Sequence, residues 1–269
     1  MKYWLYIAFL AGCFHSKISA AQNNAPWNGK KCAVVVTYDD AVSQHLDNAL
    51  PVLDSLGLKA TFYITAYSPA CRTRLKEWKK VSASGHELGN HTLFHPCIGD
   101  QPGREWVPTD YKMNNYTVRR MVEETRMTNA FLEALDGKSK RTFAFTCGDT
   151  KVNDTSFIDL MKNDFVAARS VRGQMHTIDQ VKLYDVDCYV VNGETGDQLI
   201  AWVKQAMESK SLLVVLFHGV GGGNALNVSL PAHRQFLRYL KQNQKDIWIA
   251  PMIQVAEYVK KYQENSNKK

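Results

Sequence analysis

The chain has 269 residues, 45% hydrophobic, 11% aromatic and 22% charged, a balance that excludes wholesale disorder, a collagen-like repeat and a small disulfide-stapled scaffold. Lys and Arg number 33 against 26 Asp and Glu, a net charge of +7. No run of cations exceeds two residues, so a footprint for a nucleic-acid backbone is not expected.

In chain order, the start reads as an export segment over residues 1–20. Lys2 precedes an apolar run at 3–14, and Ser19-Ala20-Ala21 supplies the small residues of a cleavage site. The run is far short of the roughly 20 residues that span a bilayer, and no later segment supplies a transmembrane span. Leu10-Ala11-Gly12-Cys13 resembles a bacterial lipobox, which would place a lipid anchor on Cys13. Plain cleavage near Ala20 or Ala21 would instead discard it. The expected location is therefore exported, either periplasmic and membrane-anchored or freely secreted.

No repeat or low-complexity linker follows, which predicts a single domain over 27–260. The run Cys32-Ala33-Val34-Val35-Val36 within 31–37 suits a strand buried on both faces. Apolar positions 46, 49, 50, 53 and 56 form a helical stripe closed by Gly57. A strand is then expected at 60–65, a helix at 72–83, a short strand at 86–90 and a long loop at 97–115. Helices are predicted at 118–135 and 156–162, each beside a strand, at 142–145 and 165–170. Residues 171–186 carry little pattern. Strands at 189–191, 212–217 and 247–250 alternate with helices at 198–209, 231–243 and 253–262, with Ser229 as an N-cap before Pro231. Residues 264–269 read as a frayed polar tail, and 261–269 as a basic extension beyond the domain. This alternation predicts an α/β fold, a distorted (β/α) barrel of about seven parallel strands. No Gly-x-Gly-x-x-Gly follows the first strand, which counts against a dinucleotide fold.

Four segments bear chemistry, each at the C-terminal end of a predicted strand, where such barrels place their working residues. Thr37-Tyr38-Asp39-Asp40 sets two carboxylates side by side; they either cap a helix or share a cation or proton. His91 and His95, in His91-Thr92-Leu93-Phe94-His95-Pro96, are four apart. Two histidines with one carboxylate match the donor set of a catalytic zinc site. Phe143-Ala144-Phe145-Thr146-Cys147-Gly148 is a strand entering a glycine turn. It is either a bland strand exit or a backbone N–H donor to an oxyanion. His218, after Leu216-Phe217 and before Gly219, Gly221, Gly222 and Gly223, is either a satisfied core histidine or a group facing a ligand.

Taken in order, Thr-Tyr-Asp-Asp, His-Thr-Leu-Phe-His and Leu-Phe-His resemble the polysaccharide deacetylase family, carbohydrate esterase family four, over roughly residues 27–260. The resemblance implies a TIM-like barrel that removes acetyl groups from a glycan with a divalent metal, zinc by its donor set. It makes Asp40, His91 and His95 the metal ligands, Asp39 the base and His218 the acid. Leu216 would line the acetyl pocket, and Cys147 would present the oxyanion-hole N–H in place of the usual tyrosine. The implied reaction is attack of a metal-activated water on an N-acetylated poly- or oligosaccharide containing N-acetylglucosamine. O-acetyl esterase action on xylan-like polymers and a catalytically silent glycan-binding role are the alternatives.

The chain also departs from that pattern. Ala144, Phe145 and Thr146 replace the segment in which the family carries an arginine that braces the base. The family's Asp-Trp motif is not evident near 184–192. Arg169, Asp185 and Asp187 are the candidates to support the site instead. Trp106 and Tyr111 either stack on a sugar or pack their loop onto the barrel, whereas Trp202 and Trp248 read as core. Cys97 and Cys147 leave two strand exits on the same barrel face, which predicts a disulfide beside the metal site. Cys32, Cys71 and Cys188 read as small buried residues.

Overall fold

The computed structural model describes residues 25–267; the export segment and Cys13 lie outside the described residues. Seven parallel strands curl into a distorted barrel. In chain order they are β1 (Cys32–Tyr38), β2 (Thr61–Ile64), β3 (Glu87–Asn90), β4 (Phe143–Ala144), β5 (Ala168–Arg169), β6 (Tyr189–Val190) and β7 (Ser211–Phe217). The hydrogen-bonded order runs β5-β4-β3-β2-β1-β7, with β6 on the far edge of β7. The segment that ends in β6 also touches β5, through a parallel bridge between Arg169 and Val186. An eighth parallel strand, β8 (Ile247–Ile249), pairs with the first half of β1, while β2 takes the second half.

The apolar run of β1 is buried at every position, and its period of two divides the core. Val34, Val36 and Tyr38 join Leu213, Val215 and Phe217 of β7 beneath three helices: α1 (Leu50–Leu56), α4 (Gly196–Ser209) and α5 (Leu230–Gln242). Ala33 and Val35 face the other way, with Leu212, Val214 and Leu216, onto the last helix, α6 (Met252–Ser266). Between α1 and α4 in the chain lie a single-turn helix, Pro69–Thr73, and then α2 (Leu75–Ala83) and α3 (Val118–Asp136). The termini follow local chemistry. Gly57 and Gly137 close α1 and α3 in the left-handed conformation, Thr195 forms a capping box with Gln198, and Ser229 caps α5 as its sequence predicts.

Three expectations need correction. Residues 156–162 are not a helix: Lys151–Val152 and Thr155–Ser156 form a small hairpin, followed by a single 3-10 turn at Ile158–Leu160. The stripe at 46–56 begins as a wide π-type turn, His45–Ala49; Pro51 has no N–H to give to the residue four before it, so α1 proper starts at Leu50. The polar end does not fray after Tyr262. Helix α6 runs through Ser266, held where the Gln263 amide donates to the carbonyls of Ile178 and Val181 (2.8 and 2.9 Å).

Candidate active site at the strand ends

Register brings the four segments together. Thr37 and Tyr38 pair with Leu216 and Phe217, so Asp39 and His218 leave adjacent strands side by side, with the Asp39 N–H on the Phe217 carbonyl at 3.0 Å. Asn90 pairs with Phe143, which sets His91 beside Ala144. The strand ends open into a cavity of about 950 Å³, lined among others by Asp39, Asp40, His91, His95, Cys147 and His218. Leu216 lines it too.

His91 is buried, and its Nδ1–H donates to the Ala144 carbonyl at 2.9 Å. That bond fixes the tautomer and turns a bare Nε2 toward the carboxylates. His95 reaches the same point from an irregular turn. Thr92 and His95 both adopt positive φ (63° and 57°), the Asn90 side chain accepts from the Thr92 N–H, and the Thr92 hydroxyl accepts from the His95 N–H. Asp40, also at positive φ (77°), places Oδ1 3.5 Å from His91 Nε2 and 3.3 Å from His95 Nε2. The three donor atoms lie within 4.8 Å of one another. Asp40 Oδ1 and His91 Nε2 are buried without a hydrogen-bond partner, which is costly unless something else occupies them. A divalent cation is the group that this donor set fits.

The electrostatics of the three groups differ. Burial alone would raise the Asp40 carboxyl, but the imidazoles of His91, His95 and His218 around it hold it far below the usual range. Burial pushes His95 down to about 4, which leaves it neutral and able to ligate. Burial also pulls on His91, yet the Asp39 and Asp40 charges keep it above its ordinary value.

Asp39 answers the question its motif left open. Its Oδ2 accepts from Nη2 of Arg169, which is fully buried on β5. The guanidinium lies over the Tyr63 ring at 5.2 Å and holds Asp39 as an ion pair. Asp39 Oδ1 keeps no partner. Of the other two candidates, Asp187 takes Ser170, Arg172 and His176, and Asp185 takes Arg172; neither supports His218. The carbonyl of His218 accepts from His45 Nε2 at 2.6 Å, while its own Nδ1 is buried without a partner. His45 carried no signal in the sequence as a site residue.

Cys147 turns at positive φ (55°) beside Gly148 and forms the expected disulfide with Cys97, with Cα atoms 5.8 Å apart. The bridge ties the turn after β4 to the histidine loop. Arg104 adds a second tie, donating to Asp149 and to the Cys147 carbonyl. Tyr111 packs on Phe94, ring on ring at 5.0 Å, whereas Trp106 stays 59% exposed on the cavity wall. Trp202 and Trp248 pack against the core, and Cys32, Cys71 and Cys188 are buried free thiols.

Fold and cluster together define a (β/α) barrel whose strand ends carry a cation-capable site beside a braced carboxylate. A family model for polysaccharide deacetylases matches residues 28–164, and the chain belongs to that family. YlxY of Bacillus subtilis (strain 168) is 28% identical over 102 residues, 38% of this chain and 27% of that protein. The chain thus matches about a quarter of the length of this curated relative. Among solved structures, a chain assigned as a polysaccharide deacetylase of Mycobacterium smegmatis superposes with TM-score 0.62 at 14% identity, covering 87% of this chain and 91% of its own. The peptidoglycan deacetylase PdaC of Bacillus subtilis, as its D285S mutant, gives 0.53 at 15% identity, with 88% and 95% covered. A mutant of BA3943, a CE4 family pseudoenzyme, gives 0.50 at 14%, with 84% and 67% covered. These likenesses establish the shared fold.

Proposed function

We propose that this protein is an exported, metal-dependent hydrolase that removes acetyl groups from an N-acetylated glycan containing N-acetylglucosamine. One observation carries the reading: Asp40 Oδ1, His91 Nε2 and His95 Nε2 converge, two of them buried and unpartnered, beside a second carboxylate at a cavity floor. Asp40, His91 and His95 would hold the cation, zinc by the donor chemistry. When bound, it supplies Lewis-acid polarisation and neutralises developing negative charge.

The chain's own groups do the rest. Asp39, paired with and oriented by Arg169, takes a proton from the attacking water at its free Oδ1. The Cys147 N–H, presented at a positive-φ turn, donates to the acetyl oxygen as charge builds there. Leu216 forms an apolar wall for the acetyl methyl, and His218 gives a proton to the departing amine. Among the described residues no helix is long and apolar enough to cross a membrane. Export and a lipid on Cys13 rest on the sequence pattern alone.

The unpartnered Nδ1 of His218 favours a second reading, O-acetyl esterase action, because an alkoxide leaves with less help from an acid than an amine does. Acetate release from N-acetylglucosamine oligomers and from acetylated xylan separates the two. The expected result is release from the oligomers, reduced about 10²–10⁴-fold by His218→Ala. Release from xylan alone selects the esterase. Release from neither, with the intact protein still retaining glycan on a column, selects the silent binding role.

A further inference from the structure

A residue 184 positions away in the chain holds Asp40. The Asn224 side chain donates from Nδ2 to Asp40 Oδ2 at 3.0 Å, while its Oδ1 accepts from the Leu226 N–H at 3.0 Å. The second bond settles which way the amide faces, since an N–H must meet the oxygen; the NH₂ group is therefore turned onto the carboxylate. The loop that delivers Asn224 follows His218 and has little freedom. Gly221, Gly222 and Gly223 all take positive φ (68°, 117° and 90°), and the Gly222 N–H bonds the Asn227 side chain at 2.8 Å. At φ 90° Gly223 holds a backbone conformation that L side chains rarely adopt, so glycine there lets the chain fold back over the exit of β1 without strain.

The consequence is a division of labour between the two oxygens of Asp40. Asn224 occupies Oδ2, and Oδ1 stays unpartnered between His91 and His95. We propose that Asn224 is a positioning residue that makes Asp40 a one-oxygen ligand, holding Oδ2 off the cation and aiming Oδ1 at it. Without that bond the carboxylate can rotate and offer both oxygens. The loop that follows His218 thereby also sets the ligand geometry. This inference rests on the reading of Asp40 as a ligand.

The test uses Co²⁺ and Zn²⁺ as probes on the purified protein and on Asn224→Ala. Residues that hydrogen-bond to metal ligands typically change affinity about 10–100-fold when removed. The expected result is a 10–100-fold weaker Zn²⁺ Kd by chelator competition. The visible Co²⁺ absorption should also lose intensity, as the carboxylate turns two-oxygen and the coordination number rises. Asn224→Ser keeps an acceptor for the Leu226 N–H but cannot reach Asp40, so it should show the same two changes if the alanine variant fails to fold. One Co²⁺ bound by every form, with Kd within two-fold and an unchanged spectrum, overturns the role of Asn224 alone. No stoichiometric ion on the unaltered protein overturns the ligand reading and this inference together.

Discussion

Strand β3 begins and ends with opposite kinds of buried polar chemistry. At its start, Glu87 has both oxygens occupied. Oε1 accepts from the Thr142 N–H and hydroxyl, and Oε2 from the Thr61 hydroxyl and the Ile253 N–H at the start of α6. At its end, roughly 13 Å away at 3.3 Å per residue, His91 Nε2, Asp39 Oδ1 and Asp40 Oδ1 have no partner. Saturated bonds make Glu87 a fastener between the barrel and its last helix. Vacant valence at the other end, in groups otherwise firmly held, is what a binding and proton-transferring site requires.

The comparison breaks most severely at Arg169. Arg169→Met leaves Asp39 buried without its countercharge, so about 3–5 kcal/mol of stability is expected to be lost in urea unfolding, together with acetate release. Adding Asp39→Asn should restore much of the stability and none of the activity. Next in size is the Cys97–Cys147 bridge, which closes a loop with a sequence separation of 50. Replacing both cysteines by serine should cost about 2–4 kcal/mol and weaken Zn²⁺ binding, because Cys97 lies two residues after His95.

Glu87→Gln sharpens the contrast from the other side. An amide NH₂ would face donors, costing about 1–3 kcal/mol, yet kcat should stay within two-fold because nothing at the cavity moves. A last effect concerns pH. Burial pushes His233, which bonds the Tyr38 hydroxyl at 2.7 Å, down to about 3. The unfolded chain takes a proton there near 6.5 while the folded chain does not. Its contribution is therefore complete above 6.5 and lost as pH falls toward 3, at about 1.4 kcal/mol per pH unit. His233→Gln should flatten that acid limb in urea midpoints measured from pH 7 to 4.5.

How much of this was legible in the sequence depends on distance along the chain. The apolar runs of β1 and β7, the glycine stop at Gly57 and the Ser229 cap are local signals, and the elements they announce are present. The four strand-end segments were legible because each combines a strand with reactive groups. The Cys97–Cys147 pair followed from two strand exits on one face. The helix expected at 156–162 failed because hairpin and 3-10 bonds compete at that length. Supporting contacts were the least legible. Arg169 meets Asp39 across 130 residues and Asn224 meets Asp40 across 184, and no spacing rule encodes either. Arg169 could be named only as one candidate among three, and Asn224 showed nothing but the glycines before it.

The central claim is that the unsatisfied end of the barrel works through a cation held by Asp40, His91 and His95. Acetate release from N-acetylglucosamine oligomers, followed through chelation and zinc return, tests it most directly. Release should stop on chelation, resume with zinc, and not resume in His91→Ala. Undiminished release from the chelated protein would contradict it.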